Sequence, residues 1–289
     1  MSKRKIKTRR NHKDSLFCDL FSDPVRALSL YNAINGTDYH DPSELQIVTL
    51  KDVLLLHQKN DVSVLFDAKL TLWEHQSSLN HNMPIRGLLY FAQNMEGIIG
   101  DRRRMLYQKR VVRIPTPAYY VLYNGMEDAP ERTDLLLSDA FLVPTSGYEW
   151  TAHMLNINLG RNKELMEHCP ELKGYATLVQ SIRDYRTGGL ELNDAVVCAI
   201  EKCIEDGILG DYLETVRGEA MGMILTEFDE KEWEEAIREE SREEGRQEGE
   251  DMLAALLKKL DQGSEDYGLA LNGTNKDRQA LYKKYNVTV

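Results

Sequence analysis

The chain has 289 residues, enough for one large domain or two ordinary ones and enough to bury a substantial core. With 42% hydrophobic and 29% charged residues it has the composition of a soluble globular protein. No apolar run approaches the roughly 20 residues that cross a bilayer, so we expect no membrane partner. The net charge of -11 would argue against a nucleic-acid partner only if it were spread evenly along the chain.

The negative charge lies in the second half. Residues 1–150 hold 19 Lys and Arg against 18 Asp and Glu, whereas residues 151–289 hold 17 against 29. Residues 1–13 carry seven Lys and Arg side chains, which is typical either of a solubilising tail or of an arm that contacts phosphates without reading sequence. This basic arm lacks the apolar core of a secretory signal. The four cysteines match neither a zinc site nor a redox pair, so we expect reduced thiols and a cytoplasmic location.

The sequence up to residue 125 predicts a mixed α/β arrangement, in which two helices are followed by strands. The second helix has an N-cap and a proline at Asp23-Pro24 and a stop signal at Asn35-Gly36. Alternating apolar residues and a later helical pattern then predict strands at 45–50, 61–66, 69–76 and 118–123, with a helix at 83–96 between the last two.

The second half predicts helices. A late strand is expected within 150–157, after a loop-rich stretch at 126–150, and helices near 162–168, 172–186, 191–206 and 209–226 follow. Residues 229–251 are so highly charged that they predict a solvated helix, coiled coil or linker, and a small helical tail completes the chain. The expected organisation is a basic arm (1–13), an α/β core (14–160), a helical region (161–228) and a charged helix with a tail (229–289).

The candidate catalytic residues lie in the hairpin predicted from the strands at 61–66 and 69–76. If Asp67 and Ala68 form a two-residue turn, Phe66 pairs with Lys69, and Asp61 lies directly opposite Glu74 with Cβ atoms about 4.5–5.5 Å apart. Because side chains alternate, these two carboxylates share one face with Ser63, Leu65, Leu70, Leu72 and Gln76.

Two carboxylates at this distance repel each other, and a hard divalent cation such as Mg²⁺ removes that cost. The cation would activate a water and neutralise the leaving oxygen, while the Gln76 amide could hydrogen-bond the water or a phosphate. A common alternative is that acidic residues simply occupy the ends of two strands. His75 and His81 are close in sequence but lack a third ligand, and His75 is expected to point away from Glu74, so zinc is not expected.

Several separated segments of the chain resemble one protein family. Asp61 with Glu74-His75-Gln76 resembles the D…ExQ form of the PD-(D/E)XK signature, in which glutamine replaces the usual lysine. The chain is similar to the recombination-promoting nuclease and transposase family of that superfamily from about residue 14 to about residue 251. The likeness is carried by DSLFCDLFSDP (14–24), LYNAINGTDY (30–39), NDVSVLFDAKLTLWEHQSSLNHNMPIRGLLYFA (60–92), VLYNG (121–125), LNINLGRNKEL (155–165), the segment around IEDGILGDYL, and EEGRQEGE (243–250).

The resemblance implies a restriction-endonuclease-like core, a mixed central sheet flanked by helices, followed by an all-helical C-terminal region. It implies a DNA endonuclease dependent on Mg²⁺, for which Mn²⁺ can substitute, that hydrolyses backbone phosphodiesters and can promote recombination or transposition. Asp61 and Glu74 would be metal ligands together with the carbonyl of His75, and Gln76 would be the polar catalytic residue. Asp14 is an accessory candidate near the metal, although a residue in this position is more often simply a helix cap.

Three questions remain open from the sequence. Arg86 could contact a phosphate or could be a packed residue beside Tyr90. The basic cluster at 102–113 is either a solvated loop or a contact for the DNA backbone. The chain could also be a catalytically inactive, nuclease-like module that binds nucleic acid or assembles in a defence or toxin system, or it could cut RNA. DNA bound with little sequence preference is the expected partner, and the helical C-terminal region is the expected surface for homo-oligomer formation.

Overall fold

The computed structural model describes residues 15–48, 62–143, 145, 147–261 and 263–285. Residues 101–102, 226–227, 229–248, 250–251 and 275 are described by their main chain only. The described residues form two compact units, one within residues 1–228 and the other within residues 229–289.

The first unit contains a six-stranded mixed sheet in the order β1-β2-β3-β4-β6-β5. The three central strands, β3, β4 and β6, are parallel, whereas β1, β2 and β5 pair antiparallel to their neighbours. The strands are β1 (Gln46–Ile47), β2 (Val62–Phe66), β3 (Lys69–Gln76), β4 (Thr116–Tyr123), β5 (Arg132–Leu136) and β6 (Thr151–Asn156). The α/β class with helices flanking a mixed sheet is therefore confirmed.

Helices cover both faces of this sheet. The helices are α1 (Leu16–Phe21), α2 (Pro24–Asn35), α3 (Met83–Ile99), α4 (Lys163–His168), α5 (Pro170–Thr187), α6 (Leu192–Glu205), α7 (Gly210–Lys259), α8 (Glu265–Asn272) and α9 (Asn275–Lys284). Trp73 and Leu122 face a large core formed with α1, α2, α4, α5 and α6. The alternate residues Leu72 and Val121 face a smaller core that includes Met83 and Tyr90 of α3. This alternation is the period of two that strands impose.

The helix signals at the start of the chain are confirmed. The Asp23 carboxylate accepts hydrogen bonds from the main-chain N–H groups of Val25 and Arg26, and Pro24 begins α2. The helix ends at Gly36, whose φ of 64° lies in the left-handed region that glycine adopts at low cost.

The predicted hairpin register is confirmed over the described residues. Phe66 pairs with Lys69, Leu65 with Leu70, and the ladder continues to Val62 and Trp73. The turn residues Asp67 and Ala68 have φ values of 46° and 56°, as a two-residue turn with left-handed residues requires. Asp61, predicted to pair with Glu74, lies outside the described residues.

Several boundaries differ from the sequence expectation. β5 lies in the stretch expected to be loop-rich, because an edge strand with alternately exposed residues gives a weak apolar signal. Of the strand expected at 45–50, Gln46–Ile47 form β1 and the Val48 N–H donates to the main-chain oxygen of Ser63 at 2.7 Å, whereas residues 49 and 50 lie outside the described residues. The two helices expected at 209–226 and 229–251 are one continuous helix, α7, which begins in the first unit and ends in the second. In the part of the chain that is described, no helix is long and apolar enough to cross a membrane.

The helices at 163–205 and the start of α7 belong to the first unit and contribute to the larger core on one face of the sheet. The second unit is helical, and its small core is formed by Leu256 and Leu260 of α7, Ala270 of α8 and Leu281 of α9. The helical C-terminal region is therefore also confirmed. The basic arm at residues 1–13 lies outside the described residues.

Candidate functional site

The candidate site is centred on Glu74, a carboxylate near the end of the central strand β3. Its side chain is only 2% exposed. Oε1 accepts hydrogen bonds from the Arg86 guanidinium and, at 3.3 Å, from Nε2 of Gln76. Oε2 accepts a hydrogen bond from the Tyr119 hydroxyl at 3.0 Å. Because a buried carboxylate without donors would be costly, these contacts explain how Glu74 remains stable inside the smaller core.

Arg86 supplies the positive charge of the site from the first turn of α3. Its side chain is 19% exposed, and its guanidinium also donates to the Tyr90 hydroxyl, with Nε at 3.4 Å. Burial is the largest single effect on the pKa of Arg86 and would lower it, but the Glu74 carboxylate together with the Tyr90 and Tyr119 hydroxyls raises that pKa further above its usual range. Arg86 is therefore permanently charged, and Glu74 and Arg86 form a buried ion pair.

Tyr119 reaches Glu74 from the adjacent strand β4. The register pairs Tyr119 with Leu72, so its ring lies on the same face of the sheet as Glu74. Burial, followed by the nearby Glu74 carboxylate, raises the pKa of the Tyr119 hydroxyl far above its usual value. The hydroxyl therefore stays protonated and donates to Glu74.

A glycine of α3 makes this arrangement possible. A Cβ atom placed on Gly87 would lie 2.3 Å from the Tyr119 ring carbons Cδ1 and Cε1, far closer than van der Waals contact. Gly87 follows Arg86 directly, so the close approach that admits the Tyr119 ring also positions the arginine. The absence of a side chain at one position thus allows α3 and β4 to hold Glu74 between them.

The two neighbours of Glu74 in β3 lie on different faces. Gln76 is half-buried, shares the face of Glu74 and lies nearer the end of the strand. His75 points to the opposite face, as expected, where its ring stacks on Phe17 at 5.5 Å and its Nε2 lies 3.2 Å from the Tyr175 hydroxyl. The His75 side chain is therefore part of the larger core, and only its main chain lies near Glu74.

The structure thus brings together Glu74, Gln76 and Arg86 of the residues that the sequence nominated. The predicted ligand Asp61 and the accessory candidate Asp14 lie outside the described residues. Within the described ranges, no group of three His, Cys, Asp or Glu residues is arranged to hold a metal ion.

The described residues offer oxygen atoms of the kind that bind a divalent cation. The Glu74 carboxylate and the Gln76 amide oxygen are hard ligands of the type that Mg²⁺ prefers. In this structure, however, the Arg86 guanidinium holds Glu74 Oε1, and the Gln76 amide turns a nitrogen toward that atom. A cation at Glu74 therefore requires a second carboxylate, the role predicted for Asp61, and a shift of Arg86 away from Oε1.

Sequence reasoning did not identify Tyr119 or Asn94. Asn94 of α3 is buried, and its Nδ2 donates to Ser63 Oγ of β2 at 3.3 Å and to the Tyr90 main-chain oxygen at 3.0 Å. The alternation within the strand predicted at 118–123 places Tyr119 on one face with Val121, so a signal was present. Finding its partner required the parallel register of β3 and β4, which alternation within a single strand does not specify.

No protein-family model matches the chain, and no curated protein or solved structure gives a significant match. The family resemblance and the roles that it implies therefore remain predictions.

Proposed function

We propose that the chain is a metal-dependent DNA endonuclease with a restriction-endonuclease-like core, which hydrolyses backbone phosphodiesters at Glu74. The observation that carries the proposal is the buried Glu74 carboxylate on a central strand, with Gln76 and Arg86 in hydrogen-bond contact with it. A buried ion pair contributes little net stability compared with apolar residues of similar size. Clusters of buried, strongly perturbed ionisable groups are instead frequent at functional sites.

The residues of the site have distinct roles in this proposal. Glu74 and Asp61 hold Mg²⁺ or Mn²⁺, with the main-chain oxygen of His75 as a further ligand. When bound, the cation supplies Lewis-acid activation of water and neutralises charge at the phosphate. The half-buried Gln76 amide orients the attacking water or a phosphate oxygen. Arg86 offers two N–H groups to a non-bridging phosphate oxygen, because a guanidinium binds phosphate in a bidentate manner.

Tyr119 is a positioning residue in this scheme. Its hydroxyl, 3.0 Å from Glu74 Oε2, fixes the orientation of the carboxylate by donating a hydrogen bond and does not lose its own proton. Because the pKa of Tyr119 is raised by burial, the hydroxyl does not compete with Glu74 as a base. The predicted homo-oligomer, formed through the helical C-terminal region, would allow two such sites to cut both strands of a duplex.

One observation favours a second function, that of a catalytically inactive module that binds nucleic acid or assembles with partners. The Arg86 guanidinium already neutralises the Glu74 carboxylate, so the described part of the site is stable without a cation. In this alternative the ion pair is a permanent structural feature of α3 and β3, and DNA binding does not depend on metal.

Plasmid nicking separates the two functions. We expect the wild-type protein to relax supercoiled plasmid with Mg²⁺ or Mn²⁺ but not with EDTA. Asp61→Ala and Glu74→Gln should lose activity by about 100-fold or more, as the loss of a group that stabilises transition-state charge usually does. Glu74→Gln keeps hydrogen-bonding atoms for Arg86 and Tyr119 but leaves the Arg86 charge without its partner, so circular dichroism must first show that the variant is folded, and Asp61→Ala provides an independent test.

The matched control is Asp139→Asn, which removes an exposed carboxylate remote in sequence from the site and should cut at the wild-type rate. An RNA of matched sequence tests substrate class in the same assay. If the wild-type protein cuts neither DNA nor RNA with any metal while it still binds DNA in EDTA, the endonuclease proposal fails and the inactive module replaces it.

A further inference from the structure

A basic and apolar segment connects α3 to β4 and has no part in the site at Glu74. It comprises residues 100–115, and we call it the basic segment. Six of its residues are Lys or Arg, and Asp101 is its one acidic residue. Residues Gly100–Tyr107 form successive 3-10 turns, and residues 111–115 follow without regular structure before β4 begins.

Most of the described side chains of the basic segment, both charged and apolar, are exposed. The exposed basic residues are Arg103, Arg104, Lys109, Arg110 and Arg113. Of these, only Arg103 forms an ion pair with a described acidic residue, Glu96, which is itself well exposed. Leu106, Tyr107 and Val111 are exposed by 53%, 92% and 76%. A surface that exposes apolar side chains among unpaired charges of one sign is typical of a binding site.

The basic segment lies at the opposite end of the sheet from the candidate site. Thr116, which follows the segment, pairs with Lys69 at the start of β3, whereas Glu74 pairs with Val121 near the end of β4. Lys69 and Glu74 are five residues apart along β3, which corresponds to roughly 17 Å. The segment is therefore a separate surface, and its binding need not involve Glu74.

We propose that the basic segment binds single-stranded nucleic acid, with Tyr107 stacking on an unpaired base and the surrounding Lys and Arg side chains contacting phosphates. Proteins that bind single strands combine a positively charged path with exposed aromatic rings, because every base offers a face for stacking. Tyr107 lies between two groups of basic residues, 102–104 and 109–113, so a base stacked on its ring would have positive charge on both sides along the chain.

The irregular conformation argues against a membrane surface as the partner. A segment that binds at a bilayer interface is usually a helix with its apolar residues on one face and its charges on the other. Here the apolar residues at 105–107, 111 and 114 alternate with basic ones along short turns and irregular chain. The inference depends on the proposed function only in the choice of DNA as the first nucleic acid to test.

The first test measures the contribution of charge. Binding of a fluorescent oligothymidylate of about 20 nucleotides to the full chain is followed by anisotropy in EDTA, where no cleavage occurs. We expect Lys109→Ser/Arg110→Ser/Arg113→Ser to weaken binding by about 30-fold or more. It should also reduce the slope of log affinity against log salt by about 2, since each contact with a single strand contributes roughly 0.7.

The control for charge is Lys163→Ser/Lys173→Ser/Lys202→Ser, which removes three exposed positive charges from the helical region. It changes the net charge by the same amount and should bind within about twofold of the wild type. Equal weakening by both triple variants would mean that only the overall charge matters, and it would overturn the proposal.

The second test isolates stacking. We expect Tyr107→Ser to lose about tenfold in affinity for the single strand, and Tyr107→Trp to restore it, because base stacking on an aromatic side chain is worth about 1–3 kcal/mol. The salt dependence should not change in either variant. A duplex hairpin of matched length should be bound more weakly and be unaffected by Tyr107→Ser.

Two further outcomes overturn the proposal. One is wild-type affinity of the charge variant or the Tyr107→Ser variant for the single strand. The other is binding of the wild-type chain to phosphatidylserine vesicles but not to the oligonucleotide, which would assign the segment to a membrane surface. Failure of the endonuclease proposal would leave these results unchanged, because binding is measured without metal and the basic segment is a surface separate from the site at Glu74.

Discussion

At the scale of single residues, the buried ion pair between Glu74 and Arg86 is the most informative feature of the protein. A carboxylate that is 2% exposed must be matched by donors, and the structure provides Arg86 and Tyr119. Such a pair gains little net stability, because the cost of removing both charges from water is close to the attraction between them. Loss of one partner, in contrast, leaves an uncompensated charge.

The first residue-scale prediction concerns Arg86. We expect Arg86→Met to lower the free energy of unfolding by about 3 kcal/mol, because the Glu74 carboxylate is then buried without its counter-charge. If a divalent cation binds at Glu74, Mg²⁺ should recover part of this loss, since a ligand that binds only the folded state stabilises it. Urea unfolding followed by circular dichroism, with and without Mg²⁺, measures both effects.

The control is the wild-type protein, in which Arg86 competes with the cation for Glu74 and the stabilisation by Mg²⁺ should be smaller. The same stabilisation by Mg²⁺ in both proteins would place the cation elsewhere. No stabilisation of Arg86→Met by Mg²⁺ or Mn²⁺ would favour the inactive module.

The second residue-scale prediction concerns the glycines of α3. Gly87→Ala should destabilise the protein by about 1–3 kcal/mol, because the new Cβ overlaps the Tyr119 ring and this outweighs the better helix propensity of alanine. Gly97→Ala in the same helix meets no atom within 4 Å and should instead stabilise it by about 0.5–1 kcal/mol. Thermal unfolding of the two variants should therefore shift in opposite directions, and stabilisation by both would contradict the close approach of α3 to Tyr119.

At the scale of secondary-structure elements, a hairpin and a crossover position the site. The β2–β3 hairpin fixes which residues of β3 face α3, and the parallel pairing of β3 with β4 places Tyr119 beside that face. Helix α3 lies between β3 and β4 in sequence, as the connection between two adjacent parallel strands commonly does. The Glu74 cluster is therefore formed by one β-α-β unit.

The hairpin turn provides the element-scale prediction. Ala68 has a φ of 56°, a conformation that costs an L-residue roughly 1 kcal/mol and glycine almost nothing. Ala68→Gly also creates the Asp-Gly pair that two-residue turns favour. We expect it to stabilise the protein by about 1 kcal/mol and raise the melting temperature by about 2–4 °C.

The control for this substitution is Ala92→Gly, at an exposed position within α3, which should lower stability by about 1 kcal/mol. If Ala68→Gly destabilises the protein as much as the control does, the turn conformation assigned to Asp67 and Ala68 is incorrect.

At the scale of the whole molecule, burial of neutral ionisable groups sets the response to alkaline pH. The larger core encloses Cys169, whose Sγ lies 3.6 Å from Ser29 Oγ. Burial raises the pKa of the Cys169 thiol from its ordinary value of 9.0 to about 12. The folded state therefore keeps this proton at pH values at which the unfolded chain releases it.

The sign of the pH dependence follows from linkage. The contribution of Cys169 to stability is complete below about pH 9 and is lost as the pH rises toward 12, by about 1.4 kcal/mol per pH unit. We expect the slope of unfolding free energy against pH between 9 and 11 to become less steep by this amount in Cys169→Ala. Ala176→Gly, which removes a buried methyl group from the same core and no ionisable group, is the control and should keep the wild-type slope. An unchanged slope in Cys169→Ala would mean that this thiol ionises as readily in the folded state as in the unfolded chain.

Much of the fold is determined by the sequence because its signals are local. The Asp23 cap and the Gly36 stop depend on neighbouring main-chain groups, so they could be identified without the rest of the molecule. The hairpin register depends on a two-residue turn, which makes Phe66 pair with Lys69. The edge strand β5 was missed because half of its side chains face solvent and its apolar pattern is weak.

In the candidate site, too, some features follow from local signals in the sequence and others depend on tertiary contacts. By itself the sequence determined that Glu74 and Gln76 share one face of β3 and that His75 lies on the other, because side chains alternate along a strand. Only the tertiary structure decided that Arg86 and Tyr119 contact Glu74 and that Gly87 makes room for the tyrosine ring. These contacts join residues 12 and 45 positions apart in the chain, and they exist because β4 pairs parallel to β3 while α3 packs across both strands.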